Sequence, residues 1–281
     1  DLLDDYFETD VIKAAFCSSG LIGTKVGPRS QGSGLVLLFH KLGYFDGSIG
    51  DWGFHKGGNG GFTQAVARAA QAFGCEIRLN AGVSEVITKN GEAIGVALQN
   101  GDELYGDTII SALDPRRTFL QLVEPRDLPT DLVETIEKFK FQGVSSKVNF
   151  ALDGLPEYPT LPDRKDIFRG FMIIGPTVDY IERAFDDSKY VWYSKRPYID
   201  CAIQSTIDPD MSPPGKHIMS CFVQYTPYKL KGGDWDTERE NLGDKVQATL
   251  TEFFPNFSDL VLHREVVTPL DIERTVGLSE G

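Results

Sequence analysis

The sequence is poor in cysteine and histidine, has no cluster of basic residues and contains no long apolar run. Its four cysteines, Cys17, Cys75, Cys201 and Cys221, are scattered without a CxxC pair or a metal-ligand spacing. That excludes a disulfide scaffold and a zinc site of the usual kind, and it points to reduced core thiols in an intracellular, reducing compartment, either cytoplasm or an organelle matrix. The histidines, His40, His55, His217 and His263, form no HExxH pair, so no metal centre is expected. Lys and Arg number 28 against 41 Asp and Glu, a formal charge of -13. Without clustered cations the chain has no means of holding a phosphate backbone, and no nucleic-acid partner is expected. No stretch approaches the roughly 18 apolar residues of a membrane span. A peripheral contact with a membrane surface stays open.

Catalytic motifs are equally scarce. GxSxG is absent, and Ser33 in Gly32-Ser33-Gly34 stands in the wrong register for a nucleophile elbow. Neighbouring carboxylates such as Asp4 and Asp5 point apart and read as a solvated face. No catalytic side chain can be named, so any chemistry is expected to reside in a cofactor.

What is present is a sizeable globular core, with 41% hydrophobic residues, 18 Phe and 10 Tyr. The most informative stretch begins at Lys56-Gly57-Gly58-Asn59-Gly60-Gly61 and runs into Phe62, Val66, Ala69, Ala70 and Phe73, a spacing that puts all five on one helical face closed by Gly74. Gly58-Asn59-Gly60-Gly61 lacks the last glycine of a dinucleotide fingerprint, and no strand precedes it. Its backbone N–H groups can hold an anion or admit a flat ligand, or the glycines can serve only as a tight turn. Two Asn-Gly pairs, at 90–91 and 100–101, predict primed turns in a three-strand meander over 83–88, 93–99 and 103–105. Residues 108–113 are almost wholly apolar without alternation and read as a strand buried on both faces, although no other stretch resembles the parallel sheet it would join.

The rest reads as an antiparallel sheet backed by helices. Helices are expected at 2–16, 35–42, 118–123, 131–139, 178–185, 235–254 and after Pro269. Strands are expected at 144–152, 168–174, 201–207, 217–225 and 261–267. The strand at 144–152 alternates, with Val144, Ser146, Val148 and Phe150 on one face and Ser145, Lys147 and Asn149 on the other. Residues 43–61, with eight glycines, form a structured loop in which Trp52 and Phe54 need a place to pack. The fold class is α+β.

Several of these residues, in order, carry a family resemblance: Leu21-Ile22-Gly23-Thr24, Gly27-Pro28, Gly32-Ser33, His40, Trp52-Gly53-Phe54, Gly57-Gly58-Asn59-Gly60, Ser111 to Pro115, and Ile272-Glu273-Arg274 with Gly277-Leu278. The chain resembles the phytoene-dehydrogenase-like flavoproteins and, within them, the pyridine nucleotide-disulfide oxidoreductase domain-containing protein 2 group. The resemblance implies an FAD-dependent oxidoreductase, a dehydrogenase or desaturase that passes hydride from an apolar substrate C–H bond to flavin. It also implies a substrate domain of antiparallel or mixed sheet with helices, in residues 1–55 and 118–281. Residues 56–117 would then form part of an incomplete Rossmann-like FAD domain whose other segments, the dinucleotide fingerprint among them, lie outside this chain, so that the chain alone would hold FAD weakly or not at all.

On the same resemblance Val83 meets the adenine, Ser111, Ala112 and Asp114 lie near the cofactor, and Gly57, Gly58 and Asn59 border the substrate cavity. Asn59 stands where the similar group has methionine. A hydrophobic small molecule is the implied substrate, with a tunnel around Phe168, Phe171, Phe222 and Tyr225, residues that ordinary core packing explains equally well. A non-catalytic binding module of the same ancestry is the competing expectation.

Overall fold

A computed structural model describes residues 2–45, 47–50 and 53–281. Trp52 lies outside the described residues. In chain order come α1 (Asp10–Leu21), α2 (Ser33–His40), the hairpin β1 (Tyr44–Phe45) and β2 (Ser48–Ile49), and α3 (Gly58–Ala72). The meander follows as β3 (Val83–Lys89), β4 (Glu92–Leu98) and β5 (Glu103–Tyr105), then one turn of helix α4 (Pro115–Arg117) continuing as a π turn over Thr118–Leu122, then α5 (Thr130–Lys138). The remainder is β6 (Ser145–Leu152), β7 (Phe171–Ile174), α6 (Val178–Lys189), β8 (Tyr198–Ala202), β9 (His217–Gln224), α7 (Trp235–Phe253), α8 (Phe257–Leu260), β10 (Val261–Val267) and α9 (Pro269–Val276). The class is α+β, as the residue pattern predicts.

The chain forms two compact units: Asp1–Thr63 with Gln142–Thr275 and Gly281, and Gln64–Phe141 with Val276–Glu280. The first is built on an antiparallel sheet in the order β10-β6-β9-β8-β7. Alternation divides its faces. Val148, Phe150 and Leu152 of β6, Met219, Cys221 and Val223 of β9, and Ile199 and Cys201 of β8 point into one core, which α7 covers with Trp235, Leu242, Val246 and Leu250. The positions 242, 246, 249 and 250 fall on one side of a 3.6-residue helix, and burying each large apolar side chain stabilises by about 1.5–3 kcal/mol. Asp234 caps α7, its carboxylate accepting from the Thr237 N–H at 3.0 Å.

The opposite face is covered at one end only. There Tyr198, Val144 and Tyr225 pack with Ala14, Cys17 and Leu21 of α1 and Ile181, Ala184 and Phe185 of α6. Gln224 fixes the chain after α1: its side chain accepts from the Gly23 N–H at 3.1 Å and donates to the carbonyls of Leu21 and Thr24 at 2.9 and 3.0 Å.

The second unit contains the meander. Asn90 and Gly91 both adopt positive φ, as a primed two-residue turn requires. The second turn differs from expectation. Only Gly101 has positive φ, with its N–H donating to the Leu98 carbonyl at 2.9 Å, which makes a wider loop closed between Leu98 and Asp102.

Four further expectations are corrected. Residues 108–113 pair with no strand among those described, and Ile110 is 86% exposed, because an apolar run becomes a strand only where a ladder partner satisfies its backbone. The apolar stripe of α3 is uncovered: the helix has no buried residue, and Phe73 is 93% exposed. Helix α1 starts at Asp10, eight residues later than the periodicity suggests, and residues 2–6 form turns. The strand expected at 201–207 begins earlier and ends at Ala202, since the hydroxyls of Ser205 and Thr206 take up nearby backbone groups, Ser205 accepting from the Ile218 N–H and Thr206 donating to the Ile203 carbonyl, in a 3-10 turn. All four cysteines are free; Cys17, Cys201 and Cys221 are buried, whereas Cys75 is exposed and so no part of a core.

Leu242 is fully buried against the sheet. Leu242→Ala is therefore expected to cost about 2–5 kcal/mol, read as a lower urea midpoint with an unchanged denaturant slope.

Candidate functional site

The uncovered end of the five-stranded sheet is the floor of a cavity of about 1190 Å³, formed wholly within the first unit. Register determines its chemistry. Glu265, Asn149, Ser220, Ala202 and Phe171 lie opposite one another across β10, β6, β9, β8 and β7, and Lys147, Phe222 and Asp200 form the adjacent row. In the first row Ser220 Oγ donates to Asn149 Oδ1 at 2.9 Å and Asn149 Nδ2 donates to Glu265 Oε2 at 3.1 Å. In the second, Asp200 Oδ2 accepts from Ser18 Oγ at 3.0 Å, while its Oδ1 is buried without a hydrogen-bond partner. Burial pushes the Asp200 carboxyl above its ordinary range, with Ser18 and Lys147 opposing. Burial also pushes the half-buried Lys147 amine below its ordinary range, opposed by the nearby Cys221 and Asp200.

The wall opposite is the glycine corner before α3. Phe54 stacks on Phe171 with centroids 5.3 Å apart. Gly57 and Gly58 hold positive φ, a conformation that side chains rarely adopt, and a Cβ on Gly58 would stand 3.3 Å from Met211 Cε. The corner is tied to the loop after β8: the Gly57 N–H donates to Asp208 Oδ2 at 2.7 Å, and Lys56 Nζ lies 3.1 Å from Asp210 Oδ2. The Gly57 N–H is thus committed to a carboxylate, and a second acid, Asp210, pairs with Lys56 beside it, so that N–H does not cradle an anion.

Gly58 and Asn59 line the cavity, whereas Gly57 is not among its lining residues and has its N–H on Asp208. Of the four aromatics, Phe171 and Phe222 line it, whereas Phe168 and Tyr225 are buried in the two cores. Val83, Ser111, Ala112 and Asp114 belong to the second unit. Val83 opens β3 opposite Leu98. Ser111 Oγ and Thr118 Oγ1 are hydrogen-bonded at 2.7 Å, and Ala112 is exposed. Asp114 caps α4 by accepting from the Arg117 N–H at 3.0 Å, and its other oxygen accepts from the Ser279 N–H and Oγ at 3.2 and 2.9 Å.

The polar floor was within reach of the sequence only in part. Alternation puts Lys147 and Asn149 on one face of their strand, but which strands lie beside them is a matter of topology, and Asp200 falls outside a strand expected to begin at residue 201.

The family model described as flavin-containing amine oxidoreductase matches residues 4–271. The chain belongs to this family. The rat pyridine nucleotide-disulfide oxidoreductase domain-containing protein 2 is 36% identical over 289 residues, covering 100% of this chain and 50% of the relative. A 4,4'-diapophytoene desaturase of Methylomonas is 28% identical over 285 residues, covering 99% of this chain and 52% of that protein. The chain thus spans about half the length of these curated relatives. Among solved structures, an oxidoreductase from Methanosarcina mazei superposes with a TM-score of 0.61 at 18% identity over 94% of this chain and 54% of that one, a likeness of fold. These findings bear out the flavoprotein resemblance.

Membership implies a flavin, and the second unit can be tested for fitness to hold one. The backbone at Ser111 and Ala112 belongs to no strand ladder and carries small side chains, which suits close approach of a ligand. The Asp114 carboxylate is spent on Arg117 and Ser279, so it acts by shaping this segment. Burial raises the Asp114 carboxyl, but donors from Arg117, Ser279 and Arg116 outweigh that and hold it below its ordinary value of 3.8. Its stabilisation is therefore complete above that value and is lost as pH falls through the depressed one. Asp114→Ala should cost about 1 kcal/mol at neutral pH, and the gap from wild type, read by chemical denaturation, should close on acidification.

Proposed function

We propose that this chain is the central and substrate-domain portion of an FAD-dependent oxidoreductase, a dehydrogenase or desaturase acting on a C–H bond of a largely apolar small molecule. The observation that carries the reading is the cavity on the open end of the sheet, with Phe171 and Phe222 on its floor, Phe54 stacked on Phe171, and Gly58 and Asn59 of the glycine corner on its wall. Family membership supports the flavin. When bound, FAD would accept hydride from the substrate. In that scheme Val83, Ser111 and Ala112 would meet the cofactor while Asp114 keeps their segment in shape. Gly58 and Asn59 border the substrate, and the aromatic wall excludes water and orients it, which is the contribution such a reaction most needs from protein. Four unpaired thiols support a reducing compartment. Among the described residues no helix is long and apolar enough to cross a membrane, and the proposed contact with lipid is peripheral.

Purified full-length protein should be yellow, with a flavin band near about 450 nm, and the 281-residue chain alone should retain far less cofactor. Full-length protein that is colourless and takes up no added FAD would overturn the reading.

A further inference from the structure

We propose that the outer face of α2 and the β1–β2 hairpin docks on an anionic lipid surface, from which an apolar substrate enters the cavity. The inference rests on reading that cavity as the site of an apolar substrate. Leu35, Leu38 and Phe39 of α2, with Leu42 just beyond its end, follow one another at the three- and four-residue steps of a single helical face. Together with Tyr44 and Ile49 of the hairpin they are 54 to 74% exposed. Apolar side chains scattered singly over a surface need no explanation, but a row of them along one helix, continued by the next hairpin, marks an interaction surface. The row is held from behind. Leu37, on the other side of α2, is buried, and the helix sits on Gly20 of α1, where a Cβ would stand 3.0 Å from the Ser33 carbonyl oxygen and 3.4 Å from Leu37 Cβ. The hairpin returns to the end of α2: the Gly50 N–H donates to the Gly43 carbonyl at 2.5 Å, and a Cβ on Gly50 would stand 3.2 Å from Lys41 Cα.

Charge selects the occupant. The chain carries -13, yet none of its 41 Asp and Glu falls between Val11 and Phe45, a stretch that holds Lys13, Lys25, Arg29 and Lys41; the next acid is Asp46. Lys13 and Arg29 pair with Asp4 and Asp179, whereas the exposed Lys41 stands at the end of the apolar row itself. An acidic protein approaches an anionic surface by a face of this kind, where screening hides its more distant charges. A second copy of the chain would meet the face with the same cations and another -13 of charge. The rings of Phe39 and Tyr44 suit the level of lipid head groups, and since no helix among the described residues can cross a membrane, the attachment is shallow. Beyond β2 the chain reaches Gly53 and Phe54, which line the cavity, so the docked face and the cavity wall are consecutive parts of one segment.

Co-sedimentation of the full-length protein with vesicles tests the assignment. Binding should be tighter to phosphatidylcholine vesicles containing phosphatidylserine than to phosphatidylcholine alone, and added salt should narrow the difference. Leu38→Ser combined with Phe39→Ser, both exposed positions, should weaken binding to either vesicle on the order of tenfold or more. Lys41→Glu should cost roughly tenfold on the anionic vesicles and leave the neutral ones nearly unchanged. Should the double variant fail to fold, Phe39→Trp keeps the apolar bulk and should add a tryptophan emission that shifts to the blue on vesicles. A wild-type protein that ignores vesicles, equal binding to both kinds, binding unmoved by the α2 substitutions, or an unshifted Phe39→Trp emission would each overturn the proposal. So would a lipid-free dimer, seen by sedimentation velocity, that the double variant dissociates, since the face would then belong to a second copy. The flavin band reports separately: colourless protein that binds vesicles sinks the flavoprotein reading alone, and yellow protein that ignores them sinks this one alone.

Discussion

The pairing of β6 with β9 in the middle of the five-stranded sheet governs both the core and the cavity. Lys147 lies opposite Phe222 and Val148 opposite Cys221, so one side of the pair is mainly apolar, with Val148, Phe150, Leu152, Met219, Cys221 and Val223, and the other carries the lysine, Asn149 and Ser220. A slip of one residue in either strand would turn its polar set into the α7 core and its apolar set outward. Burial of Val148, Phe150, Cys221 and Val223 beneath α7 thus fixes the register that gives the cavity floor its chemistry. Stability and ligand selection depend on the same alternation.

The glycine corner shows a related economy. The Gly57 N–H is taken by Asp208 from the loop after β8, and Asp210 of the same loop pairs with the Lys56 amine. What remains is rigidity and clearance: Gly57 and Gly58 in a conformation open to glycine, with Met211 close beneath. The loop residues 208–211 therefore hold one wall of the cavity in place relative to the sheet that forms its floor.

Much of this could be read from residues alone, for identifiable reasons. The strand at 145–152 and helix α7 were legible because alternation and 3.6-residue spacing are local properties, and 103–105 and 261–267 were bounded by turn residues. The apolar run at 108–113 misled because hydrophobicity signals burial, whereas a strand also needs hydrogen-bond partners that no local pattern guarantees. The site followed the same division. Gly58, Asn59, Phe171 and Phe222 came through the family resemblance, but Asp200, Asp208 and Ser18 meet their partners across 150 residues or more, in pairings that only the folded chain creates.

The capping of Asp114 by Ser279 has a bearing on how the protein is made. The second unit takes its main body from residues 64–141 and its closing segment from 276–280, with most of the first unit encoded between them. During synthesis the meander emerges long before the serine that completes the Asp114 site. The pairing of Asp114 with Ser279 joins pieces about 165 residues apart, so this one closure is the non-local step in a unit whose strand pairing is otherwise between neighbours.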